Sequence, residues 1–209
     1  MSRYFLTKAE LFVRLFLGMT TVYSGMNSRF SGVHAFFQER KRKEENDMFS
    51  LFKKKSDSLQ KNQLAAVVDG KVIPIEQVSD PVFSGKLMGD GVAVIPVGTT
   101  VVAPCAGKVT MIAETGHAFG MECDNGLELL VHIGIETVSL AGKGFTVLAK
   151  ANTRVEAGTP IIQFDPAVMR EAGLDLTTPI VILEDGGKEI RMSYPENAAA
   201  GVTVVMECK

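Results

Sequence analysis

The chain has 209 residues, 46% apolar and 22% charged, with 22 basic against 24 acidic side chains. That balance suits one medium domain of a soluble protein and excludes fibrous, collagen-like and wholly disordered classes. Nothing reaches the roughly 18 to 20 uncharged apolar residues that span a bilayer. The best stretch, Leu11 to Met26, is broken by Arg14 and by Ser, Thr and Gly, so no stable membrane insertion is expected. Three cysteines, Cys105, Cys123 and Cys208, lack C-x-x-C spacing. They indicate neither a disulfide framework nor a zinc ribbon, and a reducing cytoplasm suits them.

Charge divides the chain near Lys61. Residues 1–61 hold 12 Lys and Arg against 6 Asp and Glu, a net of +6, whereas residues 62–209 hold 10 against 18, a net of −8. Residues 1–47 carry Phe5, Leu6, Leu11, Phe12, Leu15 and Phe16 at helix-compatible spacing and end in a charged run, Glu39-Arg-Lys-Arg-Lys-Glu-Glu. They read as a poorly ordered extension or a start-site artefact. Residues 48–63 read as an amphipathic leader and linker, opening on Met48-Phe-Ser-Leu-Phe-Lys-Lys-Lys, with Met48 an alternative initiator. Such a short basic turn binds a membrane surface only weakly and transiently.

Residues 64–209 read as the folded domain. Short Val- and Ile-rich runs, such as Gly91 to Pro96, Gly107 to Ile112, Leu127 to Ile135 and Pro179 to Leu183, are cut by Gly, Pro, Asp or Asn. This is the pattern of an all-β sandwich or barrel. One helical interruption is expected at Asp165 to Ala172, with Asp165 as cap and Pro166 at the first helical position. The segments from Pro96 and from Arg154 look alike and hint at a duplicated β unit. The −8 net charge, with no basic stripe, excludes nucleic-acid binding.

Imidazole chemistry in this domain rests on His117 and His132. Period-two alternation from Leu127 to Ile135 puts Leu127, Leu129, Val131, Ile133 and Ile135 on one face and Glu128, Leu130, His132 and Gly134 on the other. Gly134 is expected to leave space beside the His132 ring, so that another backbone or a substrate can approach closely. The same alternation in Glu114 to Gly120, if it is a strand, groups Thr115, His117 and Phe119. Asn125-Gly126 between the two segments signals a hairpin that sets the strands side by side. A neutral imidazole is a competent nucleophile at neutral pH, and a second ring can donate to an incoming anion, which fits phosphoryl transfer.

Gly126-Leu-Glu-Leu-Leu-Val-His-Ile-Gly-Ile-Glu-Thr-Val138 resembles the phosphorylation signature of glucose-type IIA proteins of the bacterial sugar phosphotransferase system. The likeness extends to Val82 to Pro96, Val102 to Val109, Glu114 to Phe119 and Val155 to Asp165. It implies a compact antiparallel β-sandwich, barrel-like, with short helical turns and a duplicated hybrid motif. It further implies a cytoplasmic monomer without a cofactor that accepts a phosphoryl group from phospho-HPr on Nε2 of His132 and passes it to a IIB-domain cysteine. His117 matches the histidine that steadies the group, and Thr115 the hydroxyl that orients it. Phe83, Phe119, Val138 and Glu136 match partner-binding positions, with Glu136 where well-known relatives carry Asp. Ala113 stands where those relatives carry an aromatic.

Two rivals remain open on residues alone. A zinc hydrolase would draw on His117, His132, Glu114 and Glu136, but a third ligand at normal spacing is missing. The two histidines could still share zinc across an interface with a partner. A biotinyl or lipoyl carrier is suggested by Val102 to Val109, although Lys108 and Lys143 lack the hairpin-tip context.

Overall fold

Thirteen strands, two short α-helices and two 3-10 turns arise among the described residues; the structure is a computed structural model that describes residues 59–209. The expected extension at 1–47 and the start of the expected leader at Met48 lie outside those residues. In chain order the strands are β1 (Gln63–Ala65), β2 (Gly70–Pro74), β3 (Gly91–Pro96), β4 (Thr100–Val102), β5 (Gly107–Ile112), β6 (Ala118–Cys123) and β7 (Glu128–His132). They continue as β8 (Phe145–Val147), β9 (Thr153–Val155), β10 (Pro160–Phe164), β11 (Thr178–Glu184), β12 (Ile190–Met192) and β13 (Val204–Cys208). Every strand pairing is antiparallel.

These strands form a seven-stranded sheet, β2-β3-β11-β7-β6-β5-β9, and two three-stranded sheets, β1-β13-β12 and β4-β10-β8. All are open, and no closed barrel forms among the described residues. The two look-alike segments pair with each other, since β4 hydrogen-bonds β10 with Val101 opposite Ile162. The main core lies where the sheets meet, uniting Leu64, Val101, Phe119, Leu129, Ile162, Ile180 and Met206.

The large sheet is apolar on both faces near its middle. Within β11, Ile180 and Ile182 enter the main core while Val181 points the opposite way. There it joins Ile73, Ile75, Val78, Phe83, Ala93 and Ile135 in a second cluster. A 3-10 turn at Ile75–Gln77 and helix α1 (Pro81–Ser84) cover that cluster. Asp80 caps α1 by accepting from the Val82 amide at 2.7 Å, and Pro81 takes the first turn, where a missing N–H costs nothing.

The second helix falls where the sequence puts it. Helix α2 (Pro166–Glu171) has Asp165 as N-cap, its carboxylate accepting from the Ala167 amide at 2.9 Å. The hairpin between β6 and β7 also forms, though not as a two-residue turn. Cys123 N donates to Leu127 O and Gly126 N to Cys123 O, both at 2.8 Å, so the loop is Asp124-Asn125-Gly126 with Gly126 at φ 84°. That is a type I turn closed by a left-handed residue, which glycine adopts without strain.

Candidate functional site

The β6–β7 hairpin carries the two imidazoles to one end of the large sheet. Ala118 sits opposite His132 in the ladder, and Ile133 N donates to His117 O at 2.8 Å. The ring centroids lie 5.0 Å apart at an interplanar angle of 67°. Both side chains are half-buried on the face away from the main core.

Alternation holds through Ile133 and then breaks. Leu127, Leu129, Val131 and Ile133 are buried in the main core, but β7 ends at His132 and Gly134 turns the chain at φ 71°. Ile135 therefore packs in the second cluster, not on the main apolar face. Of the two close approaches expected at Gly134, another backbone or a substrate, the backbone is the one found. A Cβ there would lie 2.6 Å from Thr137 Cγ2 and 2.9 Å from the Asp175 carbonyl oxygen, so the glycine admits the protein's own atoms. The turn it makes brings its carbonyl 2.7 Å from His132 Nδ1.

That contact sets the chemistry of the ring. A carbonyl only accepts, so Nδ1 is the protonated nitrogen of neutral His132 and Nε2 keeps its lone pair. Burial lowers the His132 pKa below the ordinary 6.5; the Gly134 carbonyl pulls it up, His117 pushes it down and Asp80 pulls it up, with a net lowering. Burial likewise lowers His117. Both rings are therefore neutral at pH 7. Thr115 Oγ1 lies 2.5 Å from His117 Nδ1 and can fix that ring's tautomer.

Residues Glu114 to His117 form the turn between β5 and β6, not a strand as the alternation supposed. Gly116 N donates to Ala113 O at 2.8 Å across it. Counting by twos through a turn misplaces Phe119. Phe119 belongs to β6 proper, is 0% exposed in the main core, and is unavailable to any partner. Phe83 is 6% exposed, and its ring lies 5.4 Å from that of His132, forming a wall of the site. Val138, in a 3-10 turn at Thr137–Leu140, is 56% exposed beside Glu136. Glu136 is itself exposed, with a left-handed backbone at φ 58°.

Sequence reasoning missed three residues. Asp80 acts electrostatically on His132. Asp175 bonds Ile135 N through its carbonyl at 2.8 Å. Buried Thr137 donates to the Ile133 carbonyl at 2.6 Å, fastening the turn. Only Asp-Pro before a helix was a usable local signal, and it marks a cap and not a site.

Two neutral rings with one free Nε2 suit transfer of an anionic group. Among the described residues no group of three or more His, Cys, Asp or Glu side chains is placed to hold a metal ion. Lys108 lies within β5, opposite Glu122, and not at a hairpin tip.

Comparison with known proteins places this scaffold. The family model of the phosphoenolpyruvate-dependent sugar phosphotransferase system, EIIA 1, matches residues 62–186. The glucose-specific EIIA component of Haemophilus influenzae is 40% identical over 159 residues, covering 76% of this chain and 96% of the relative. Its Bacillus anthracis counterpart is 40% identical over 145 residues, covering 69% of this chain and 88% of the relative. The solved glucose permease IIA of Mycoplasma capricolum superposes with a TM-score of 0.63 at 32% identity, over 69% of this chain and 93% of that one. The chain belongs to this EIIA family, whose role is that of a phosphoryl carrier in sugar transport. The zinc-hydrolase and biotinyl-carrier readings find no support.

Proposed function

We propose that His132 Nε2 is the phosphoryl acceptor. The observation that carries this reading is the His132 Nδ1 to Gly134 carbonyl contact, which leaves the Nε2 lone pair free on a half-buried, neutral ring. In the transfer, the Nε2–P bond forms as the N–P bond of a donor phosphohistidine breaks, and the bonding pair returns to the donor ring. His117, held through Nδ1 by Thr115, donates its Nε2–H to an equatorial oxygen of the transferring group. A fixed donor aimed at developing charge lowers the barrier because it needs no reorganisation.

The donor on this reading is the phosphohistidine of HPr, and the acceptor the cysteine of a IIB domain. A mannose-specific EIIBCA component of Corynebacterium glutamicum, 42% identical over 119 residues, supports the second assignment. This chain covers only 17% of that longer relative. Val138 and Glu136 are exposed and are the partner-facing residues, their apolar and acidic character suiting more than one partner. Phe83, being buried, packs against the acceptor ring from within and is not itself a docking position. Among the described residues no helix is long and apolar enough to cross a membrane.

Incubation with enzyme I, HPr and labelled phosphoenolpyruvate tests the assignment. Wild type is expected to take up label that is labile in acid and stable in alkali. His132→Ala is expected to take up none, and His117→Gln to transfer slowly. Full labelling of His132→Ala would overturn it.

A further inference from the structure

Gly134 and Ile135 share one peptide group, and both of its polar ends are bonded. Its carbonyl accepts from His132 Nδ1 at 2.7 Å, and its N–H donates to the Asp175 carbonyl at 2.8 Å. Asp175 is in turn held by its side chain. One carboxylate oxygen accepts from Thr177 N at 2.9 Å and Thr177 Oγ1 at 2.7 Å, while the other accepts from Ser79 Oγ at 3.1 Å. Ser79 precedes Asp80, the cap of the helix that carries Phe83. Asp175 thus ties together the turn after β7, the loop before α1 and the entry to β11. These are the segments that wall the His132 ring.

We propose that Asp175 is a positioning residue for phosphoryl acceptance: through the Gly134–Ile135 peptide it holds the acceptor ring in the Nδ1–H tautomer with Nε2 outward. The proposal rests on His132 Nε2 being the acceptor, as argued above. Its physical basis is the rigidity of the peptide plane. Releasing the N–H at one end lets the plane rotate and withdraws the carbonyl from Nδ1 at the other. The neutral ring then samples both tautomers and a wider range of orientations, and the Nε2–H form has no lone pair to offer. Asp175 touches neither the phosphoryl group nor the ring; it acts through one peptide. The bonds that hold its carboxylate outweigh the cost of burial and keep its pKa below the ordinary carboxyl value, so the tie persists across the neutral range.

Nitrogen NMR of the full chain labelled at histidine reads the tautomer with no phosphoryl donor present, and labelling with enzyme I, HPr and phosphoenolpyruvate reads the transfer rate. Wild-type His132 is expected as the Nδ1–H form alone. Asp175→Ala is expected to show both tautomers and to accept phosphate about tenfold more slowly, the usual scale for an outer positioning contact. Asp175→Asn, whose amide oxygen can still accept from Thr177, is expected to restore both readouts. Ser79→Ala removes one exposed contact, leaves the fold intact, and is expected to shift both readouts in the same direction by less. A folded Asp175→Ala with the wild-type tautomer and rate would overturn the proposal. If Asp175→Ala does not fold, an unchanged tautomer in both Ser79→Ala and Thr177→Val overturns it instead. Label found away from His132 would defeat the acceptor assignment, while the tautomer comparison would still judge Asp175.

Discussion

The two ends of the β6–β7 hairpin hold potential nucleophiles in opposite conditions. At one end His117 and His132 are half-buried, neutral and hydrogen-bonded through Nδ1. At the other, about 17 Å away by strand rise over Ala118–Cys123, the thiols of Cys105, Cys123 and Cys208 are buried. A hydrogen bond with Cys105, then burial, pushes the Cys123 thiol far above its ordinary pKa. Cys208 Sγ donates to the Asn62 carbonyl at 3.2 Å and accepts from Asn125 Nδ2 at 3.3 Å. The thiolate is the reactive form of cysteine, so Cys123 is held unreactive, and burial shields all three thiols from solvent, although this end holds more nucleophilic side chains than the other. Reactivity here follows access and protonation, not the number of candidate atoms.

Removing the acceptor should give the largest contrast. His132→Ala is expected to abolish phosphoryl uptake in the labelling assay while urea denaturation shows a folded domain, because the ring is half-exposed and outside the main core. Next comes the pair of phenylalanines. Phe119→Ala is expected to cost about 3 to 5 kcal/mol of stability with transfer by the folded fraction unchanged. Phe83→Ala, which opens a cavity in the second cluster, should cost stability and also slow transfer by the folded fraction, since Phe83 walls the acceptor ring. A Phe83→Ala domain with unchanged transfer would remove Phe83 from the site. At the thiol end, Cys123→Ser buries a hydroxyl in place of a thiol and is expected to cost about 1 to 3 kcal/mol, with the transfer rate of the folded fraction unaltered.

The smallest effect is on pH dependence. Both imidazoles titrate below 6.5 in the folded state, chiefly through burial. Between those lowered values and 6.5 the unfolded chain binds more protons, so stability rises with pH through that window and is lost as pH falls from 6.5. Uptake is expected to stay level from neutral pH down to 6.5 and to decline only below it. A decline centred above 6.5 would show that the rings are charged more readily than their burial allows.

Much of this was legible in the residues because it was local. The strand runs, the Asp165-Pro166 cap and the glycine-closed hairpin each announce themselves within a few positions, and the hairpin alone brings His117 near His132. What failed was alternation carried through turns. The chain bends at Glu114 to His117 and again at Gly134, so Phe119 goes inward and Ile135 joins the opposite cluster. Asp175 could not be found at all, since its partners Ser79 and Ile135 come from distant parts of the chain. A backbone carbonyl that selects a tautomer leaves no trace in residue identity.

The central claim is tested most directly by locating the phosphoryl group on the intact, HPr-phosphorylated chain, combining phosphorus NMR with peptide mapping under alkaline conditions. The expected result is a single phosphohistidine at His132, bonded through Nε2. A phosphoryl group on His132 Nδ1, on His117 or on any cysteine would contradict the account.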